Sequence, residues 1–512
     1  MYKGLLLFLI TVFSLSVKAQ IDGDNIFGED QVITIELNFN QVSFWDSLEV
    51  NYESSVYMKA DLTLTDASGV STFQDVGVRL KGNSSYSHPN DKKSFKIDFN
   101  KYTSGQNYDG LKKLNLSNGF KDPSIMREKV FFDVCREVGV PAPRASFANV
   151  YFNGTLWGFY TVIEQIDDQF LDWKILDDDG NLFKAGANFG SSGAAADLKY
   201  YGTDQSSYED RYELKSNEEE NDWSDLIELV DFINNSSDED FEANLESWVD
   251  LDNLLKSIAL DNLFGNLDTY TGSARNYYIY HNLTTQKWEW IKWDGNESFG
   301  SYSNGVNNMT SLDLDYHNSD RPLIERIFDN ETFYAQYLSA VCEIKEDYFN
   351  ETYMDAKIDE TKTLIQASVY ADDNKMYSDA NFDTNVESNI TSGGGPMGGT
   401  TYGLKSFVAD RSSNVSGAVD CTKYVSVEEL IKDNKINVYP NPSVYTTIVS
   451  WERTDIVTIE LRNVLGQLIY SENPIGEQSI EWDVSHLESG IYIVNLYSKD
   501  NTIANEKLLI QH

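Results

Sequence analysis

Apolar and polar residues alternate through most of the first third of the chain. Residues 31–39 (QVITIELNF), 59–69 (KADLTLTDASG), 75–85 (DVGVRLKGNSS) and 93–99 (KSFKIDF) carry the pattern, which is the period of strands with one face on a core. It returns over 147–167 (FANVYFNGTLWGFYTVIEQID). A helix interrupts the run. Asp122 is placed to cap it, Pro123 suits its first turn and Gly139 stops it,. Val130, Phe131, Val134, Cys135 and Val138 form its apolar stripe, with Arg127 inside the stripe and Glu128 at its edge,. Charges in such a stripe call for partners if it is buried. Helical periods follow at Trp223–Ile233, Trp248–Phe264 and Ile324–Tyr348. Tyr277–Tyr280 and Trp288–Trp293 read as a hairpin, residues 186–222 as a long loop, Ser392–Gly399 as a flexible insertion and Gly403–Val415 as a final helix. Strand alternation resumes at KINVYPNPSVYTTIVSW and continues to the end of the sequence, as in a small β-sandwich. The plan is α+β: a mixed body over 30–420, a linker at 421–434 and a β-sandwich over 435–512.

Composition narrows the classes. The 512 residues are 41% apolar and 13% aromatic, enough for a large core, which excludes global disorder,. The formal net charge of -42 repels phosphate backbones, so no nucleic-acid partner is expected,. Three cysteines cannot build a disulfide framework; at most one bridge can form among Cys135, Cys342 and Cys421,. At the start, Lys3 precedes an apolar run from Leu5 to Leu15, with small residues at Val17 and Ala19. This is a signal peptide over 1–19 cut after Ala19, because the run is shorter than the ~20 residues of a membrane span. Export is therefore expected.

Three segments carry chemistry. Asp268 lies in a loop after the helix stop Gly265, and Asp294 ends the second strand of the hairpin. Two acids bracketing one hairpin suit a divalent cation with phosphate oxygens, or general acid–base work. Gly82-Asn83-Ser84-Ser85 is a polar turn whose backbone donors fit phosphate,. Lys92, Lys93 and Lys96 follow it, a local basic cluster in an acidic chain. Lys93 shares parity with Phe95, Ile97 and Phe99, and is expected toward the cleft. Asp177-Asp178-Asp179-Gly180-Asn181 is a candidate Ca2+ loop, although it lacks EF-hand spacing,.

In order along the chain, these pieces resemble the CotH kinase-like family. The resemblance rests on Arg79 with Gly82-Asn83-Ser84-Ser85, on Lys92-Lys93-Ser94-Phe95, and on Asp122-Pro123-Ser124 with Arg127-Glu128. It continues through Asn153-Gly154 with Gly158, Tyr160 and Glu164, Asn266-Leu267-Asp268, Trp293-Asp294 with Phe299-Gly300, and Arg321-Pro322-Leu323-Ile324. It implies an atypical protein-kinase-like fold that moves the γ-phosphoryl of ATP to Ser or Thr of a protein substrate. On that reading the Gly82–Ser85 turn covers phosphates, with Arg79 beside it. Lys92 or Lys93 binds phosphate oxygens and pairs with Glu128, and Arg127 is the rival for an ionic role. Glu164 falls at the hinge beside the adenine. Asp268 orients the acceptor hydroxyl, while Asp294, helped by Asn276, holds Mg2+ or Mn2+. The sequence departs from ordinary kinases in the eight residues from Asp268 to Asn276 and in Asn296, a weaker cation ligand than the acid found there in some relatives. A non-catalytic surface or adhesion module on the same fold is the alternative; a metal-dependent hydrolase is a third.

The C-terminal pieces Val438-Tyr439-Pro440-Asn441-Pro442, Asn463-Val464-Leu465-Gly466-Gln467 and Leu487-Glu488-Ser489-Gly490-Ile491-Tyr492 resemble the sorting domain of the type IX secretion system. That resemblance implies the secretion machinery as a partner, passage through the outer membrane, and release or attachment at the surface.

Overall fold

The computed structural model describes residues 21–28, 30–186, 194–392, 399–424, 436–451, 456–463, 467–474, 478–487, 489–498 and 503–511. The predicted signal peptide, most of the predicted linker, the core of the Ser392–Gly399 insertion, and Val464, Leu465, Gly466 and Glu488 of the C-terminal motifs lie outside the described residues. The chain falls into two compact units. One runs to Tyr334 and resumes over Ile344–Val415; the other comprises Ala335–Glu343 and the chain from Ser416.

In the first unit the early strands close on themselves. They are β1 (Val32–Asn38), β2 (Met58–Asp66), β3 (Gly69–Lys81), β4 (Ser94–Asp98), β5 (Lys113–Ser117), β6 (Ala145–Phe152) and β7 (Thr155–Glu164). They form a barrel in the order β1-β2-β3-β4-β5-β7-β6. A parallel pairing of β1 with β6 completes the ring, and the other pairs are antiparallel. The alternation explains the inside: Ile33, Ile35, Leu37, Leu62, Leu64, Val78, Leu80, Phe95, Ile97, Leu114 and Leu116 are all buried in one cluster. Each such side chain removed from water contributes ~1.5–3 kcal/mol. The opposite parity faces outward. There Arg79 lies across from Lys96, Lys96 from Asn115, and Lys81 from Ser94. The parity argument for Lys93 is thereby reversed: Phe95, Ile97 and Phe99 fill the barrel, and the cleft side of β4 is that of Lys96.

The helix between β5 and β6 spans Arg127–Val138. It begins five residues after Asp122 rather than at it, because Pro123 to Met126 form a turn. The Asp122 carboxylate still serves the helix start, accepting from the Arg127 and Ser124 N–H groups at 2.9 Å each. Gly139 ends the helix at φ 99°, a left-handed conformation that suits glycine,.

A second sheet carries the other wall of the cleft. It consists of β8 (Leu182–Ala185), β9 (Tyr212–Leu214), β10 (Tyr277–Asn282) and β11 (Lys287–Lys292), in the order β11-β10-β8-β9. Strand β9 lies inside the stretch read as loop; three residues are too few to display a period. Helices Ser224–Asn235 and Leu251–Leu263 stand close to their expected positions. The run expected as one helix over Ile324–Tyr348 is two, Pro322–Asp329 and Glu331–Asp347. Asn330 breaks it, because its side chain accepts from the Thr332 and Phe333 N–H groups and starts the second helix,. Helices Asp238–Trp248, Glu351–Ala371, Asp379–Glu387 and Leu404–Ala418 and a short ladder of β12 (Ile390–Ser392) with β13 (Gly399–Thr401) complete the body.

In the second unit, β14 (Ile436–Tyr439), β15 (Thr446–Trp451) and β18 (Ser479–Asp483) form one sheet. The other comprises β16 (Ile456–Asn463), β17 (Leu468–Glu472), β19 (Gly490–Ser498) and β20 (Ile503–Ile510). Val449, Trp451, Ile459, Leu461, Trp482, Val494 and Leu508 share a core. Cys342 and Cys421 form the bridge, and Cys135 is free and buried. Among the described residues no helix is long and apolar enough to cross a membrane.

Candidate active site

The cleft is assembled from strand ends. Lys81 is the last residue of β3, Glu128 sits in the first turn of its helix, and Asp294 follows β11. The ammonium of Lys81 donates to Asn115 Oδ1 at 3.2 Å and lies 5.5 Å from the centre of the Trp293 ring. Burial pushes its pKa down, against the charges of Glu128 and Asp294. Burial and the negative charge of Asp294 push Glu128 up, while Lys81 and a hydrogen bond from Ser117 hold it down. Asp294 is likewise raised by burial and by Asp268, and lowered by Lys81, Lys184 and Lys121. These reciprocal effects place Lys81, Glu128, Asp294 and Asp268 in one electrostatic neighbourhood.

The backbone there is unusual. Asp294 sits at φ 58° and Asn276 also at φ 58°, left-handed conformations that non-glycine residues adopt at a cost,. Asn276 donates its amide to both the backbone oxygen and Oδ2 of Asp268, 3.0 Å each. The eight-residue spacing therefore does not separate them; the chain folds back through Gly272 to Arg275 and brings the amide to the acid. Asn296 donates to the Phe120 carbonyl at 3.3 Å. Its neighbour Glu297 is ion-paired with Lys121, and burial together with Asp268 and Asp294 pushes it up to about 7 despite that lysine.

The lysine named from the sequence is not the one beside Glu128. Lys92 is wholly buried and ion-paired with Asp372 at 2.6 Å. Lys93 donates to the carbonyls of Tyr86, at 2.8 Å, and His88. Both lysines precede β4, where the chain is still crossing from the turn, so neither shares the strand's outer face. Arg127 is structural too. It pairs with Asp122 at 3.2 Å and donates to Asn385 Oδ1 and the Tyr402 carbonyl. Glu164 is fully engaged: Arg144 binds it through the guanidinium at 2.6 Å and the backbone N–H at 3.0 Å, and Trp173 donates at 2.9 Å. It is thus a clamp across the ends of β6 and β7, with both oxygens taken. The turn Gly82–Ser85 follows Lys81 directly. Gly82 stands at φ 98°, Ser84 begins a single helical turn, and Tyr52 stacks on Tyr86 with ring centres 3.4 Å apart. Arg79 lies on the outer face of β3, 5.4 Å from the Tyr57 ring centre.

In the candidate Ca2+ loop the first acid is engaged with the neighbouring hairpin. Asp177 accepts from Tyr280, from Leu283 N at 3.3 Å, and from the N–H and hydroxyl of Thr284 at 2.9 and 2.7 Å. Its oxygens tie down the β10–β11 turn. Among the described residues, no three His, Cys, Asp or Glu side chains form one ligand group. Sequence reasoning missed Lys81 and Lys184, and named Lys96 only as one of the basic cluster. Lys81 follows from the polar parity of β3 that Arg79 already marks; Lys184 sits on a strand too short to signal itself.

The family model described as CotH kinase protein matches residues 78–391, and the chain belongs to that family. A second, the secretion system C-terminal sorting domain, matches 437–511. This domain marks the chain for export by the type IX machinery to the cell surface or beyond. Inner spore coat protein H of Bacillus subtilis (strain 168) is 29% identical over 311 residues, covering 60% of this chain and 82% of that protein. Ulvan lyase NLR42 of Nonlabens ulvanivorans is 33% identical over 76 residues, 15% of this chain and 14% of that enzyme. Among solved structures, the Helicobacter pylori proinflammatory kinase CtkA matches 65% of this chain and 95% of its own at 10% identity, with a TM-score of 0.25, too slight a likeness to bear on the fold.

Proposed function

We propose that this is an exported protein kinase that transfers the γ-phosphoryl of ATP to Ser or Thr of surface or extracellular proteins. The observation that carries the reading is that Asp294 feels the charges of both Asp268 and Lys81, while Lys81 also feels that of Glu128. Phosphoryl transfer asks chiefly for positioning and charge neutralisation, and this group offers both signs of charge in one cleft. Two acids close enough that Asp268 raises the proton affinity of Asp294 fit a divalent cation, and a lysine in the field of a helix glutamate fits phosphate oxygens. Mg2+ or Mn2+ bound by Asp294 and the free oxygen of Asn276 would neutralise charge on the phosphate chain. Asp268, oriented by the Asn276 amide, accepts a hydrogen bond from the acceptor hydroxyl and aims its oxygen. Glu128 holds the Lys81 ammonium against the phosphates. The turn at Gly82–Ser85 closes over the same region, with Lys93 fastening its far end.

The test is incubation of mature protein with γ-labelled ATP and either metal, with mapping of the label. Incorporation at Ser or Thr by wild type, lost in Asp268→Ala, supports the reading. Nucleotide bound but never transferred to any of a broad panel of acceptor proteins makes the chain a non-catalytic surface module instead.

A further inference from the structure

Lys96 and Lys184 stand out in this cleft. Both are half-buried, and among the described residues neither side chain makes a hydrogen bond or an ion pair. Lys96 projects from the outer face of β4, directly across from Arg79. Lys184 projects from β8 in the other wall, paired in register with Tyr278, and its ammonium lies 5.9 Å from the Trp293 ring centre; Lys81 lies 5.5 Å from the same ring. The indole, one residue before Asp294, thus has two ammonium groups within 6 Å. Cation–π contact is a weak partner for a lysine compared with a carboxylate.

Electrostatics agree with the geometry. Lys96 is pushed down to about 6 by burial and by the surrounding cations Lys81, Arg79, Lys113 and Lys184. Lys184 is lowered by burial and by Lys215 and Arg79, while Glu213 and Asp294 act in its favour. Like charges gathered with no acid in ion-pair contact with Lys96 or Lys184 are costly in the empty protein. Their arrangement is complementary to a ligand carrying several negative charges.

We propose that Lys96 and Lys184 bind the phosphate chain of the nucleotide from opposite walls of the cleft, flanking Lys81. The assignment rests on the phosphotransfer reading and deepens it: the ligand class is a nucleoside triphosphate, recognised through its phosphates by three lysines from β3, β4 and β8. Asp294 and Asp268 lie at one side of the cluster, so a cation held there faces the same phosphates.

The experiment measures equilibrium binding of ATP with Mg2+, inorganic tripolyphosphate and adenosine to wild type, Lys96→Gln, Lys184→Gln and the two arginine variants. Each glutamine variant is expected to weaken ATP and tripolyphosphate about tenfold or more and to leave adenosine within twofold; arginine at either position keeps most of the affinity. Unchanged tripolyphosphate affinity in both glutamine variants overturns the assignment, as does equal loss for adenosine or absence of any tripolyphosphate binding by wild type. Phosphoryl transfer by wild type with unaltered variants would refute these lysines and leave the kinase standing. Lysine-dependent binding of tripolyphosphate without transfer would do the reverse.

Discussion

Lys96 is a charge that the folded protein is worse off for holding. Its pKa falls to about 6 from an ordinary value of 10.5, because burial and four neighbouring cations oppose its proton. Between those pH values the unfolded chain binds a proton that the folded chain does not, so this residue makes stability rise with pH. Lys96→Met removes the penalty. The ligand-free variant should be more stable than wild type by ~1 kcal/mol near pH 7, allowing for screening, with a gain largest near pH 6 and gone by about pH 10. Chemical denaturation across that range checks it; a variant less stable than wild type at pH 7 would contradict it. Acquiring stability at the expense of ligand affinity is the trade expected where charges serve binding. The residue scale is also where the sequence was read least well. That Asp268 and Asp294 share a neighbourhood was legible because the two bracket a hairpin. The lysine was not: Lys92 and Lys93 stand together in the basic cluster after the turn, whereas Lys81, at the end of β3, is the lysine whose charge acts on Glu128. Parity with Arg79 held the answer, but it becomes informative only once the apolar face is known to turn inward.

At the scale of elements, the links between the barrel and the later helices explain what the misread residues do. Lys92 joins the entrance of β4 to Asp372 at the end of helix Glu351–Ala371, with both side chains wholly buried. The same Asp372 carboxylate accepts from Phe159 N at 2.9 Å, which ties in β7. Removing one member of such a pair strands a buried charge. Lys92→Met should therefore cost ~3–5 kcal/mol of stability. Measured at a temperature where the variant is folded, its preference for ATP over adenosine should match wild type. A selective loss of ATP affinity would return Lys92 to the phosphate site. Individual strands and the longer helices were legible from periodicity, since hairpins and amphipathic stripes are local. Closure of the barrel was not, because an open sheet and a closed one show the same alternation along each strand. It depends on the parallel β1–β6 pairing between residues more than a hundred positions apart.

At the scale of the molecule, the chain joins a CotH-family body to a sorting domain. Deleting residues 437–511 should leave the protein inside the cell envelope, whereas the full chain reaches the surface or medium; cell fractionation with an antibody decides it. The Cys342–Cys421 bridge spans 79 residues. Reduction should lower the stability of its unit by ~4 kcal/mol on the chain-entropy account, read as a fall in its unfolding midpoint with and without reductant. Export was legible from the C-terminal motifs, since a sorting domain is a local motif read apart from the rest of the fold. The bridge was open among three cysteines because pairing is set by which sulfurs the fold brings together.

The most direct measurement is the rate of phosphoryl transfer from ATP by wild type, Lys81→Ala and Asp294→Ala, each shown to be folded. Wild type should transfer label in the presence of a divalent cation, and both substitutions should lower kcat/KM by ~100-fold or more, about the size of effect seen when one charge-stabilising group is removed from an active site. Undiminished transfer by either variant would mean that the chemistry happens elsewhere, and the cleft between β3 and β11 would have to be given up as the active site.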